Sequence, residues 1–285
     1  MDLQLRGKRA FVSGSSSGLG AAIAREFADE GVSVVVHGRD RARGEATARD
    51  IAAKGVPVAV TVGDLTRNDE AQAVAQAALD AFGGIDILVN CAGGVVRTDN
   101  PDWMTVSPDE WLMSFNLNVV GALRMAQAMA PGMIERGWGR IVNISSVAGQ
   151  TGQGFLHDYG SAKAAIDHLT VNLSKTLSPK GVTVNCVVPG DFMTPAIERW
   201  LATLRKQNNW PDDLAENERV YTRDFRKQPI PRLGRPPEIA AVNRDRHPLI
   251  GKFPGDRGAE SRTAPGDERT LASQLQIHLS FPPRG

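Results

Sequence analysis

The sequence predicts a doubly wound α/β fold with a parallel sheet, and three observations predict it. Short runs rich in β-branched residues alternate with longer stretches of helical period. A glycine-rich turn, Gly14 to Gly20, follows the first of these runs and opens the first helical stretch. Small and polar residues gather at the end of each later run, where a sheet of this kind binds its ligands.

The elements follow in order. Arg9 to Ser13 is a short apolar run ending at Gly14, and from Gly18 the pattern turns helical through Ile23, Phe27 and Glu30. Runs at 32–36, 56–62, 85–89, 140–144 and 182–188 come next, separated by helical stretches. Right-handed crossovers then require a parallel sheet covered on both faces. The strand ends carry Gly14 to Gly20, His37-Gly38-Arg39, Gly63-Asp64-Leu65, Asn90-Cys91-Ala92-Gly93, Ser145-Ser146 and Pro189-Gly190. Region 191–232 breaks the alternation with Phe192, Trp200, Trp210, Tyr221 and Phe225. It predicts a helical lid over the carboxyl edge, with an amphipathic helical pair packed on the surface as the alternative.

At 285 residues the chain suits one large domain. Lys and Arg number 33 against 32 Asp and Glu, a formal charge of +1, which gives no electrostatic case for nucleic acid or an anionic membrane as main partner. A small-molecule substrate is expected. No apolar run reaches the roughly 20 residues of a spanning helix, and Met1 to Arg6 lacks the apolar stretch of a signal peptide, so a cytoplasmic protein is expected. Cys91 and Cys186 stand in no metal-ligand spacing and are expected as buried reduced thiols, with neither disulfide nor metal.

Glycines 14, 18 and 20 allow a tight turn and close approach of a ligand, leaving N–H groups at the helix start to receive a pyrophosphate. Ser15, Ser16 and Ser17 would add hydroxyl donors, and Leu19 completes the turn. After the second strand the chain offers Arg39, not an acid. A guanidinium suits a 2′-phosphate, which favours NADP over NAD, a surface arginine being the plainer alternative. Asp64 ends the third strand where a carboxylate meets an adenine amino group, or merely caps a turn.

Tyr159 and Lys163 are four residues apart and follow Ser146 by thirteen. On a helix that spacing puts both side chains on one face, about 5–6 Å apart at Cβ. A phenol ionises near 10 in water, so proton transfer near neutrality asks for about 4 kcal/mol of stabilisation of the phenolate, which an adjacent cation supplies. Tyr159 would be general acid in carbonyl reduction and base in alcohol oxidation. Ser146 would donate to the substrate oxygen where charge develops. Asn118 or its neighbour Asn116 could hold a water linking Lys163 to solvent.

These residues resemble the short-chain dehydrogenase/reductase family, over roughly Leu5 to Val242. The family's glycine turn resembles Ser13 to Gly20, its Asn-Asn-Ala-Gly block resembles Asn90-Cys91-Ala92-Gly93, and its Ser, Tyr and Lys fall on Ser146, Tyr159 and Lys163. The family's asparagine follows a tryptophan by seven residues, which selects Asn118 after Trp111. Pro189, Gly190 and Thr194 resemble its nicotinamide-contacting segment, and Arg232-Leu233-Gly234-Arg235-Pro236 a segment before its last core helix. The resemblance implies a Rossmann-fold oxidoreductase of the 3-oxoacyl-acyl-carrier-protein reductase-like kind. Such an enzyme interconverts a ketone and a secondary alcohol with NADP(H), the cofactor lying against Gly14 to Gly20, Arg39, Asp64, Leu65, Asn90, Ala92, Gly93, Tyr159, Lys163, Pro189, Gly190 and Thr194. A non-catalytic dinucleotide-binding module would be expected to lack the catalytic set, which this chain keeps.

Past Val242 the resemblance stops. The chain reads Asn243-Arg244-Asp245-Arg246-His247-Pro248, and no valine follows to Gly285. A catalytic domain at 1–242 and an atypical, poorly ordered tail at 243–285 are expected, a composition that a shifted reading frame would produce. The family's seventh strand is then expected to be lost, leaving the edge beside 182–188 open. The homo-oligomer that the resemblance implies would lose part of its contact, and an inactive, C-terminally altered product is the further alternative.

Overall fold

The computed structural model describes residues 3–96, 102–152, 154–226, 232–239 and 275–278. Six parallel strands run β1 (Arg9–Val12), β2 (Ser33–Gly38), β3 (Val58–Val62), β4 (Ile87–Asn90), β5 (Gly139–Ile144) and β6 (Val182–Pro189), in the spatial order β3-β2-β1-β4-β5-β6. This is the expected doubly wound, Rossmann-type sheet in a single domain. Between them run α1 (Gly18–Asp29), α2 (Arg41–Ala52), α3 (Asn68–Phe82), α4 (Pro108–Phe115), α5 (Gly121–Glu135) and α6 (His157–Leu177).

Side-chain alternation divides the core between the two faces. Phe11 of β1 and Leu88 of β4 pack with Met125, Met129 and Met133 of α5 and with α3. Ala10, Val12, Ile87 and Val89, the alternate residues of the same strands, pack with Ile23 of α1 and Ile51 of α2. Burying each such large side chain stabilises the fold by about 1.5–3 kcal/mol, so both helical layers are fixed to the sheet by residues legible as strand and helix faces.

Two local features depart from a plain helix or strand. Ser107 and Glu110 cap α4 reciprocally with Pro108 in its first turn, but the helix does not run straight into α5. Residues Asn116–Val120 form a π turn. Past β6, α7 (Pro195–Asn208), capped by Thr194, α8 (Leu214–Val220), capped by Asp213, and a second π turn, Tyr221–Phe225, form a helical unit around Leu201, Leu204, Tyr221 and Leu233. Phe192 bridges to Gly234, so this unit returns to the end of β6.

The expected open edge is corrected. A strand β7 (Leu275–His278) pairs antiparallel with β6, Cys186 opposite His278 and Pro189 opposite Leu275. The absence of valine pointed away from a strand, yet Leu275-Gln276-Ile277-His278 alternates apolar and polar residues, and alternation suffices for an edge strand. The family's parallel seventh strand is not among the described residues. Apart from β7, the tail at 243–285 lies outside them. No helix among the described residues is long and apolar enough to cross a membrane.

Candidate active site

The crevice opens where the strand order reverses, at the carboxyl ends of β1 and β4. Gly14 turns with φ +69°, and a Cβ there would lie 2.9 Å from Cα of Ala92, so glycine alone lets the two loops touch. Ser13 fastens them, its Oγ accepting the N–H groups of Cys91 and Ala92, both at 2.9 Å.

The three serines do not act alike. Ser15 is buried, with its Oγ donating to Val12 O at 2.6 Å and accepting from His37 N at 2.9 Å. Its hydroxyl ties β1 to the end of β2. Ser16 packs against Gly38, where any Cβ would meet its Oγ. Ser17 is exposed and starts α1 without a side-chain capping bond. The N–H groups of Gly18, Leu19 and Gly20 therefore form a helix start suited to a pyrophosphate.

His37 is a site residue to which its type and position gave no role. Its Nδ1 accepts Gly14 N–H at 3.1 Å, so Nε2 carries the proton and donates to Gly63 O at 3.1 Å. Burial pushes the imidazole down to about 4, outweighing the pull of Gly63 O and Asp64, while Arg39 works in the same direction as burial. A neutral ring thus ties the glycine turn to the end of β3.

Asp64, as the plainer alternative held, shapes a turn: its Oδ1 accepts Thr66 N–H at 2.9 Å and Thr66 Oγ1–H at 2.8 Å. Burial pushes its carboxyl up, but these bonds, with Arg39 and Arg67, hold it below the usual carboxylate range. Its Oδ2 is 3.9 Å from Arg39, whose side chain is 74% exposed. Leu65 is buried and its carbonyl accepts from Arg124. Arg124 also binds Asn116 Oδ1, and Asn116 Nδ2 donates to Thr66 O.

Asn116 is thereby committed to the β3 loop, while Asn118 faces the other way. Asn118 Nδ2 donates to Gly94 O and Ser114 O, and its Oδ1 accepts Gly94 N–H at 2.9 Å. A Cβ on Gly93 would lie 2.7 Å from that Oδ1 and 3.4 Å from Lys163 Nζ, so the loop after β4 passes through a gap only glycine fits. Asn90 donates to Asn143 Oδ1 at 2.9 Å and Ala122 O at 3.3 Å, joining β4 to β5 and α5.

Lys163 is buried on α6, and its Nζ donates to Ile144 O at 2.9 Å, at the end of β5. Ser145 Oγ donates back to Lys163 O at 3.1 Å. Ser146, the next residue, is half-buried, and its Oγ accepts from Ala148 N–H at 3.2 Å. Tyr159 lies one turn before Lys163, its ring centroid 5.5 Å from Nζ. A carbonyl acceptor, an ammonium, a phenol and two serine hydroxyls thus gather at one strand end, an arrangement able to polarise an oxygen and move a proton to it.

On the far side Pro189 ends β6, and Thr194 caps α7 while its methyl would lie 3.6 Å from a Cβ on Gly18. Thr194 therefore faces the glycine turn across the crevice. Asp191, also unassigned from sequence, accepts from Arg226 Nε at 2.7 Å and Tyr221 hydroxyl at 3.2 Å. Both cysteines are free thiols; Cys186 is buried, which pushes its thiol up to about 12. Among the described residues, no three His, Cys, Asp or Glu side chains gather to hold a metal.

A reversing parallel sheet with a glycine turn at its crevice defines a dinucleotide-binding protein of the Rossmann class. The short chain dehydrogenase family model matches residues 8–204. The chain is 32% identical over 240 residues to the 3-oxoacyl-[acyl-carrier-protein] reductase FabG of Vibrio cholerae, covering 84% of this chain and 89% of that protein. L-sorbose reductase from Gluconobacter frateurii, solved with NADPH and L-sorbose, superposes with a TM-score of 0.77 at 32% identity, covering 84% of this chain and 89% of that one. A 7α-hydroxysteroid dehydrogenase solved with NADH and 7-oxo glycochenodeoxycholic acid does so at 0.72 and 31%, covering 84% and 86%. The chain belongs to the short-chain dehydrogenase family and is an NAD(P)-dependent oxidoreductase.

Proposed function

We propose that the chain interconverts a ketone and a secondary alcohol with NADP(H), Tyr159 being the proton donor in reduction and acceptor in oxidation. The observation that carries this reading is the joint placement of Tyr159 and Lys163 on one face of α6, with the ammonium held by Ile144 O beside Ser146. The residues fit a dinucleotide: the uncapped start of α1 would take the pyrophosphate, Asp64 and Leu65 the adenine side, and Asn90, Ala92, Gly93, Pro189, Gly190 and Thr194 the nicotinamide side. When bound, the cofactor supplies the hydride that goes to the carbonyl carbon.

Ser146 donates to the substrate oxygen and aligns it with Tyr159, whose hydroxyl proton completes the alcohol. The Lys163 ammonium stabilises the phenolate left behind. Asn118, fixed by three hydrogen bonds to Gly94 and Ser114, holds the loop beside Lys163 and so the path by which the proton is replaced. Arg39 favours NADP over NAD, because a 3.9 Å ion pair this exposed is worth about 0–1 kcal/mol and yields readily to a 2′-phosphate. Residues 191–232 act as the lid of a catalytic domain spanning 1–242. Cytoplasmic operation is part of the same reading. So is a second copy of the chain against the exposed Leu112 and Met113 of α4 and Val171 of α6.

The test is Tyr159→Phe in the full chain with NADPH and a ketone panel. Turnover is expected to fall by about 10²–10⁴ while NADP⁺ binding persists. Undiminished turnover would overturn the assignment.

A further inference from the structure

The lid meets the catalytic loop through three aromatic rings. Phe155 stands between Ser146 and Tyr159 in sequence, and its ring centroid lies 6.1 Å from that of Phe225. Phe225 stacks on Tyr221 at 5.5 Å and 19°. The Tyr221 hydroxyl is occupied by Asp191, which also takes Arg226, so Tyr221 is fixed in place and offers Phe225 its ring face. Asp191 directly follows Pro189 and Gly190 at the end of β6. The ladder therefore runs from the end of β6 to the Ser146–Tyr159 loop, on the side of the crevice away from β1 to β3.

Phe225, the middle rung, is 42% exposed although it touches a ring on each side. Val95, just beyond the Gly93-Gly94 loop that Asn118 holds, is exposed to the same degree. An isolated exposed phenylalanine would call for no explanation. Phe225 instead touches Phe155, in the segment that leads from Ser146 into α6 and lies four residues before Tyr159, so the rings form an apolar surface next in the chain to the reacting residues. A polyol placed against it would leave hydroxyls without partners, because the ladder's one hydroxyl is already used.

We propose that Phe155 and Phe225 form a specificity wall that selects ketones bearing a flat apolar substituent, aryl or fused-ring, beside the carbonyl. The proposal rests on the ketone–alcohol reading given above. A flat substituent extends the ladder by one more ring at the 4.5–7 Å spacing such pairs adopt, and each pair of this kind is worth about 2- to 10-fold in recognition.

The full chain, Phe225→Ala and Phe225→Leu are assayed with NADPH against 1-tetralone and acetophenone on one side and acetoin and fructose on the other. The wild type is expected to favour the aryl ketones. The ratio of kcat/KM, aryl over aliphatic, is expected to fall by about 3- to 10-fold in Phe225→Ala and by less in Phe225→Leu, which keeps apolar volume without a ring. An unchanged ratio, or a wild type that reduces the hydroxyketones and ignores the aryl ones, overturns the wall and leaves the reductase standing. A chain that binds NADPH and reduces no ketone overturns the reductase reading and the wall with it.

Discussion

The two banks of the crevice are held by different forces. On the glycine-turn bank, Ser13, Ser15 and His37 are buried and bonded to backbone groups, all neutral. On the opposite bank, formed by the helical unit that follows β6, the ties are ion pairs with some access to water: Asp191 with Arg226, Glu218 with Arg235, and Arg232 with Glu238. Neutral buried bonds resist salt and give one geometry. Ion pairs near water are weaker and can be exchanged. The bank that would meet an unvarying cofactor is rigid, and the bank that would meet a particular substrate is adjustable.

The contrast is broken most severely by Gly14→Val. A branched side chain at φ +69°, 2.9 Å from Ala92 Cα, should cost more than about 3 kcal/mol and abolish NADP⁺ binding. Urea unfolding together with a fluorescence titration checks both, and a stable, NADP⁺-binding Gly14→Val would refute the tight contact.

Acidification should act next, through His37. Its folded value of about 4 lies below the ordinary 6.5, so between these the unfolded chain binds the extra proton. The stability His37 confers is therefore complete above about 6.5 and shrinks as pH falls toward 4, by roughly 3 kcal/mol. Unfolding of the wild type and His37→Asn across this window should give a steeper pH slope for the wild type; parallel slopes would remove His37 as the cause.

Asp191→Ala takes the shared acceptor from Tyr221 and Arg226 and should cost about 1–3 kcal/mol, mostly as early proteolysis of the helical unit after β6. Cleavage no faster than in the wild type would count against the clasp. Smallest is Arg232→Ala, which loosens a pair whose partners are 37% and 31% exposed. About 0.2–1 kcal/mol is expected, fading in 1 M salt, and a salt-independent loss would mean that the pair is not electrostatic.

The sheet was legible because β-branched runs and glycine punctuation are local signals, and the six parallel strands lie where such runs stand. Tyr159 and Lys163 were likewise legible, since a four-residue spacing on a helix fixes their neighbourhood. His37 was not, because Gly14 and Gly63, which define its tautomer, are 23 and 26 residues away. Asp191 waits for partners 30 and 35 residues on. β7 was hidden because its four-residue alternation sits in a valine-free tail rich in proline and glycine, and the internal use of Ser15 because a serine looks the same whether it serves backbone or ligand.

The turn at Asn116–Val120 carries a consequence for how this chain tolerates insertions and deletions. A π turn is the footprint of one residue added to an α-helix, and it advances everything beyond it by about 100° around the axis. Removing Leu117 would restore an unbroken helix, yet it would make Asn116 and Asn118 adjacent, and they could no longer face the β3 loop and Gly94 at once. A one-codon deletion at Leu117 would therefore rewire the wall of the crevice, while a substitution at Leu117 keeps the spacing of the two asparagines.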